Sequence, residues 1–352
     1  MAKVLVLATS RHSHGGISSV VAAHEHTPQW KEHGCRWIAT HHSGSALTKL
    51  AYLVSGMAQY LVALPGCDIV HIHTSEPPSA MRKTMFMRLA KLARKKTIVH
   101  FHAFDTSTTI CGPHADVYRR LFTMADRVVV LSPSWQKAVA EAFPEVAAKT
   151  SVLYNPCPEI ADAPQPDARQ YSSEEGSILT AGVITDRKGY RDLIAAFARV
   201  AQSHPHWRLT FAGSGEIDKA KQLADDLGVA DRVDFLGWVA GANKDRAFRQ
   251  ASIFCLPSYA EGFPMAVLDA WAYAVPVAAT PVGGLPDIVS DGEDIMLFNP
   301  GDTEAMALAL EKLISDTDLR KKIAQKSNKF AKNTFNILTI GRRLGELYNS
   351  LK

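Results

Sequence analysis

The chain has 352 residues, 47% hydrophobic and 21% charged, enough for more than one α/β core, so two domains are expected. A net charge of +4 is too mild to demand a nucleic-acid partner. Five scattered cysteines with no C-x-x-C pair argue against a disulfide framework or a zinc site and fit a reducing compartment.

β-Branched runs alternate with helical stretches along the whole chain. In the first half they are "KVLVLAT" (3–9), "CRWIAT" (35–40), "IVHIH" (69–73), "TIVHFH" (97–102), "RVVVLS" (127–132) and "SVLYNP" (151–156). Residues 157–176, rich in proline, acid and serine, read as a linker. The alternation then resumes with "SILTAGVI" (177–184), "WRLTFAG" (207–213), "VDFLGWV" (233–239), "SIFCLPS" (252–258), "PVAATPVG" (276–283) and "IMLFNP" (295–300). A helical tail follows from about 303. The expected fold class is α/β, two Rossmann-like, doubly wound parallel-sheet domains facing a cleft. Ligands in such sheets sit at the carboxyl ends of strands, so chemistry is expected in the loops that follow strands. No basic stretch precedes a long apolar core at the start, and no signal peptide is expected. The most apolar run, 50–64, carries Gln59 and stops at Pro65, short of the roughly 20 residues a bilayer needs. A soluble, cytoplasmic chain is therefore expected.

Several post-strand loops carry suggestive residues. Glu261 precedes Gly262, Phe263, Pro264 and Met265, where Pro264 suits the first turn of a helix and unpaired N–H groups suit an anion. Asp269 lies eight residues on, about 12 Å along a helix axis. A nucleotide diphosphate sugar spans that interval; taken alone, the pair is equally a helix cap and a hydrogen-bonded buried acid. Arg187 and Lys188 stand just before Gly189, suited to a diphosphate leaving group. Gly213 and Gly215 follow another strand, and Gly15 and Gly16 follow the first, where either pair admits a phosphate or simply makes a turn. His100 and His102 share one face of their strand, and His102 is at the cleft end. No Walker A, G-x-G-x-x-G, H-E-x-x-H or G-x-S-x-G pattern occurs, and no metal or cofactor is expected.

In this order, these motifs resemble the retaining glycosyltransferases of the GT-B fold, family 4. The resemblance spans nearly the whole chain, through "LPSYAEGFPMAVLDAWAYAVPVAATPVGGLPDIV" and "DGEDIMLFNPGD". It implies an N-terminal acceptor-side domain of residues 1–160 plus 335–352 and a nucleotide-sugar-binding domain of 170–334. Glu261 would fall on the first acid of the family's E-x7-E motif and meet the donor sugar. Asp269 would fall on the second and meet the ribose. Lys188 would hold the diphosphate and His102 would touch the transferred sugar. The chain departs from the family in three places: Asp269 and Asp287 stand where Glu is usual, and Val183 stands where Arg is common, with Arg187 to supply the charge.

The implied reaction moves a sugar, UDP-linked, to a glycan or lipid-linked saccharide with retention and without a metal. A GT-B-fold nucleotide-sugar epimerase and a catalytically impaired partner subunit share these features and remain alternatives. One acceptor clue lies at 81–96, "MRKTMFMRLAKLARKK", with seven cations and no acid. On a helical projection Lys83, Arg88, Lys91, Arg94 and Lys95 fall within about 140°, opposite Met85, Leu89 and Leu92. That basic face suits anionic lipid at the inner membrane face, or is the solvated side of a core helix.

Overall fold

The structure is a computed structural model that describes residues 1–13, 15–160, 162–169 and 171–352, without the side chain of Ala168. His14 of the first glycine loop, and Ala161 and Gln170 of the expected linker, lie outside the described residues. The chain divides into two compact units. The first comprises Met1–Pro156, Glu261–Phe263 and Phe335–Lys352; the second, Cys157–Ala260 and Pro264–Thr334.

In the first unit the strands are β1 (Val4–Ala8), β2 (Arg36–Ala39), β3 (Ile69–Thr74), β4 (Lys96–Phe101), β5 (Arg127–Val130) and β6 (Thr150–Val152). They form one parallel sheet in the order β2-β1-β3-β4-β5-β6. The helices are α1 (Gly16–Glu25), α2 (Pro28–Glu32), α3 (Ala46–Ala63), α4 (Pro77–Leu92), α5 (Ala115–Met124), α6 (Pro133–Ala142) and, from the chain's end, α13 (Ile337–Asn349). Side chains alternate across the sheet with period two. Leu5, Leu7, Val70, Ile72 and Val99 join one core with Tyr60 and Phe86. Val4, Val6, Ile69 and Ile98 join another with Val21, Ile340 and Tyr348. Both faces are covered, which is why these strands read as continuous apolar runs.

The second unit repeats the plan. Its strands β7 (Glu175–Ala181), β8 (His206–Ala212), β9 (Val233–Phe235), β10 (Ile253–Leu256), β11 (Val277–Ala279) and β12 (Met296–Leu297) form a parallel sheet in the order β12-β11-β10-β7-β8-β9. Its helices are α7 (Tyr190–Val200), α8 (Ile217–Asp226), α9 (Gly241–Gln250), α10 (Met265–Ala272), α11 (Thr303–Ser315) and α12 (Thr317–Thr334). All twelve expected strands are present, and the two parallel sheets bear out the doubly wound α/β class. In each sheet the order reverses beside the first strand, between β1 and β3 and between β7 and β10. Those switch points are where open α/β sheets place ligands.

Two expectations about helices are corrected. The apolar run at 50–64 belongs to a longer helix, α3, which Ser45 caps by accepting from the Thr48 amide at 3.2 Å. By length and composition residues 46–66 reach what a bilayer crossing needs. The second correction concerns the basic face of 81–96. Helix α4 ends at Leu92, so Arg94 and Lys95 lie beyond it. Lys83 is buried, its ammonium donating to Thr40 Oγ1 at 2.6 Å, while Met85 and Leu92 are exposed. Lys91 pairs with Asp126 at 2.8 Å, and Lys95 donates to the carbonyls of Pro65 and Cys67. The projection fixed the two sides of the helix but not which one faced the sheet. Phe86, Met87 and Ala90 decided that, and they carried Lys83 inward.

Burial holds the Lys83 ammonium well below its ordinary range, with Arg82 adding repulsion. A buried cation with one hydroxyl partner and the Phe86 ring 5.9 Å away recovers little of its lost hydration. Lys83→Met, of similar length, is expected to leave the protein as stable or more stable by about 1–3 kcal/mol at pH 7. Urea denaturation checks this, and a clear loss of stability would show that the ammonium is worth more than its burial costs.

Candidate functional site

In the second unit the site forms around the loops after β7 and β10, at the switch point. The β7 loop turns through a short 3₁₀ segment, Asp186–Lys188, into α7. The Arg187 guanidinium donates to the Ala260 carbonyl at 2.6 Å, and the Tyr259 amide donates to the Arg187 carbonyl at 2.8 Å. The Tyr259 hydroxyl donates to Asp192 in the first turn of α7 at 2.9 Å. Gly189 has φ +67°, and a Cβ there would stand 2.0 Å from the Pro257 carbonyl oxygen. Only glycine fits such a position. The two loops are thus bound backbone to backbone. Arg187, expected to serve the diphosphate, also holds the stretch that leads to Glu261.

Lys188 stays with this loop, half-buried. A Cβ on Gly182 would lie 3.8 Å from its Cε, so the lysine stem runs along the Gly182 backbone. It shares a narrow crevice with Thr180, Tyr190, Phe211 and Leu256, near the carboxyl ends of three strands.

Gly213 and Gly215 were expected to admit the donor. The structure gives each a steric reason that needs no ligand. A Cβ on Gly213 would stand 1.7 Å from the Gly182 oxygen, and one on Gly215 2.4 Å from that of Ile184. The two loops instead join through Ile184 N–H donating to the Ser214 carbonyl at 2.7 Å and Glu216 N–H to that of Ile184 at 2.9 Å.

Pro264 is the N-cap of α10, one position ahead of the first turn, and Met265 begins the helix. Asp269 is buried, and its carboxylate pairs with Lys244 of α9 at 2.7 Å. Burial raises this carboxyl above its usual range, although Lys244 pulls it down. Lys244 escaped the sequence reading. It lies on an otherwise ordinary polar helix, and nothing in one sequence pairs it with an acid 25 residues away.

The first unit holds the remaining residues. Glu261 and Phe263 are buried, and the Phe263 carbonyl accepts from Asn155 Nδ2 at 3.1 Å. A Cβ on Gly262 would stand 2.5 Å from the Ala103 carbonyl oxygen, so glycine allows this segment to lie on the backbone just after β4. That contact brings Glu261 and Gly262 to the residues around His102. Gly15 caps α1 at the carboxyl end of β1. A Cβ on Gly15 or Gly16 would meet nothing within 4 Å, so packing among the described residues does not explain these two glycines.

His102 has a partner that the sequence reading missed. Its Nε2 lies 2.9 Å from His73 Nδ1 on the neighbouring strand. His71, His73, His100 and His102 project from one face of β3 and β4, their ring centroids 4.2 to 5.4 Å apart. His71 Nδ1 meets the Tyr348 hydroxyl of α13 at 2.8 Å. The signal was legible as two H-x-H runs, "HIH" and "HFH", on strands that pair in parallel. His71, His73 and His100 offer ring nitrogens within 4.8 Å of one another. The His71 and His100 rings, however, lie within 7° of parallel. Parallel rings aim their lone pairs side by side, whereas a tetrahedral site needs them to converge at about 2.0–2.1 Å. The stack is better described as neutral imidazoles in a core.

Comparisons with known proteins agree with this architecture. A family model described as glycosyl transferase 4-like domain matches residues 4–156, and one described as glycosyl transferases group 1 matches 165–330. The chain belongs to the family 4 glycosyltransferases of the GT-B fold. The lipopolysaccharide core biosynthesis glycosyltransferase LpsE of Rhizobium meliloti is 34% identical over 43% of this chain and 43% of that protein. The phosphatidyl-myo-inositol mannosyltransferase of Mycolicibacterium smegmatis is 27% identical over 72% of this chain and 64% of its own length. The crystal structure of Anabaena HepE in complex with UDP-glucose superposes with a TM-score of 0.74 at 20% identity, covering 99% of this chain and all of that one. The chain spans 21% to 64% of the length of the first curated relatives it matches.

The buried histidines give a pH expectation. Burial lowers His24 to about 4 and His71 to about 3, and holds His73 and His100 well below the ordinary 6.5. The unfolded chain therefore binds more protons between about pH 4 and 6.5, and stability rises with pH there. Each such imidazole costs up to about 1.4 kcal/mol per pH unit as the pH falls below 6.5. The urea midpoint is expected to drop steeply from pH 7 to 5, less so in His24→Phe. A midpoint level across that range would contradict neutral burial.

Proposed function

We propose that this protein is a retaining glycosyltransferase that moves a sugar from a UDP-linked donor to a glycan or lipid-linked saccharide acceptor, without a metal. The observation that supports this best is the bound pair of loops at the β7/β10 switch point, with Lys188 on one and Glu261 following the other. In this reading Lys188 neutralises the charge that grows on the diphosphate as the glycosidic bond breaks. Glu261 accepts hydrogen bonds from sugar hydroxyls, and Asp269, paired with Lys244, meets the ribose. His102, oriented by His73, touches the transferred sugar. The open space at Gly15 and Gly16, at the start of α1, serves phosphate or acceptor oxygens. The amides at Gly262, Phe263 and Met265 serve the donor in the same way.

The bond from the sugar's C1 to the phosphate oxygen breaks, and a bond from C1 to the acceptor oxygen forms on the same face. The departing phosphate takes the acceptor's proton, so no further base is required. A UDP-linked donor is favoured by the UDP-glucose bound to HepE. A saccharide or lipid-linked acceptor at the cytoplasmic membrane face is favoured by relatives named for lipopolysaccharide core and phosphatidylinositol glycosylation.

The test is a thermal-shift screen of UDP-, GDP-, ADP- and dTDP-sugars, followed by glycan product formation with the donor that stabilises. Lys188→Ala is expected to lower kcat about 10²–10³-fold with an unchanged melting temperature in the absence of donor, and wild-type turnover to persist in excess chelator. Near-normal turnover of the variant, or a chelator loss restored by Mg²⁺, would overturn the corresponding step. Donor conversion with no coupled product would point to the epimerase, and donor binding without turnover to an impaired subunit.

A further inference from the structure

Helix α3 faces water with an apolar side. Leu47 and Val62 are 79% and 80% exposed, and Leu50 and Val54 lie between them, also exposed. The 18 residues of α3 include a single charge, Lys49, and no acid. Only Gly56 and Tyr60 of this helix are buried. A Cβ on Gly56 would stand 2.5 Å from the Ala39 carbonyl oxygen, so the helix lies directly on the end of β2. Both ends of α3 lead into strands of one sheet, β2 and β3, which keeps it flat on that sheet rather than across a bilayer.

Beside it runs a groove of about 740 Å³ lined by Met57 and Leu61 of α3, Met81, Met85 and Leu89 of α4, and Val117 of α5. That volume is in the range of small-ligand sites, and flexible methionines adapt to apolar chains of varied shape. Two exposed arginines, Arg88 and Arg120, also line it. From Pro77 to Phe104 the chain has no acid. An apolar surface of this extent on a soluble fold marks an interaction site, and its positive border says what covers it. A second copy of the chain, docked by two-fold symmetry, would bring arginine toward arginine. An anionic surface neutralises them.

We propose that this face docks on an anionic phospholipid bilayer. Helix α3 lies in the interface with Leu47, Leu50, Val54 and Val62 among the acyl chains, the groove takes part of one chain, and Arg88 and Arg120 meet headgroup phosphates. Of the cations read at 81–96, Arg88 lines this groove, and an apolar helix and a methionine-lined groove supply the insertion. The amino ends of α3 and α4 stand at the carboxyl edge of the sheet, with His102, Gly15 and Gly16. Docking there would present that edge to a lipid-linked saccharide, a consequence that rests on the proposed function.

The experiment is flotation of the full chain with phosphatidylcholine vesicles, with and without phosphatidylglycerol. Binding is expected only with phosphatidylglycerol and is expected to fall in high salt. Leu50→Asp/Val54→Asp and Arg88→Glu/Arg120→Glu should each weaken partition about tenfold or more. All four side chains are exposed, and an unchanged melting curve in each double variant controls for folding. The proposal is overturned by no flotation at low salt, by flotation that ignores the substitutions, or by a solution dimer that Leu50→Asp/Val54→Asp abolishes. Donor-induced thermal shift, read in the same variants, separates the two readings. A chain that floats without binding donor defeats the activity, and one that binds donor without floating defeats the docking.

Discussion

The fit of the loop after β7 against the loop after β10 is the constraint on which the second unit's chemistry rests. At Gly189 the two backbones come so close that a single Cβ would stand 2.0 Å from a carbonyl oxygen. Arg187 then donates one guanidinium N–H to the Ala260 carbonyl, and its own carbonyl accepts from the Tyr259 amide. Parallel strands alone would not fix these loops, because each runs several residues past the end of its strand before the next helix begins. Joined, they hold Lys188 on a rigid backbone, the condition that its proposed role sets. Arginine suits this role because its planar donors reach a carbonyl without giving up their charge.

The glycines divide into two sorts once space is measured. Gly189, Gly213, Gly215 and Gly262 each stand where an added Cβ would strike backbone at 1.7 to 2.5 Å. They are needed for the loops to close on one another, whatever they bind. Gly15 and Gly16 stand in open space. The sequence treats all six alike, since a glycine after a strand signals both a tight contact and an approach path. Only the neighbouring chain, distant in sequence, tells them apart.

The same distinction explains what else could be read in advance. All twelve strands were legible, because both faces of each sheet are covered and apolar, β-branched residues therefore dominate most of the strands. The positions of Glu261, Lys188 and His102 at strand ends were legible from order alone. The orientation of α4 was not. A helix with cations on one side and methionines on the other has two ways to lie, and the aromatic and small residues between them settle the matter. Nor was the pairing of Asp269 with Lys244 legible, since the partner sits on another helix at no characteristic spacing. His73 lay between these cases, visible as half of a repeated H-x-H but meaningless until β3 and β4 are known to be neighbours.

The buried histidines show what that neighbourhood demands. Four imidazoles stacked on one face can persist in a core only if they are neutral, since each charge there would meet the others in a medium that screens poorly. His24 and His100 have no hydrogen-bond partner on either ring nitrogen among the described residues, a deficit that costs free energy. Stability alone would favour aliphatic side chains there. Their line from Tyr348 in the core to His102 at the carboxyl edge of the sheet suggests a different constraint. His102 is held by another histidine, through a bond that exists only while the two rings do not both carry a proton on the facing nitrogens. Neutrality of the stack is thus the condition for a fixed orientation at His102, and the unit accepts a narrower pH range of stability to keep it.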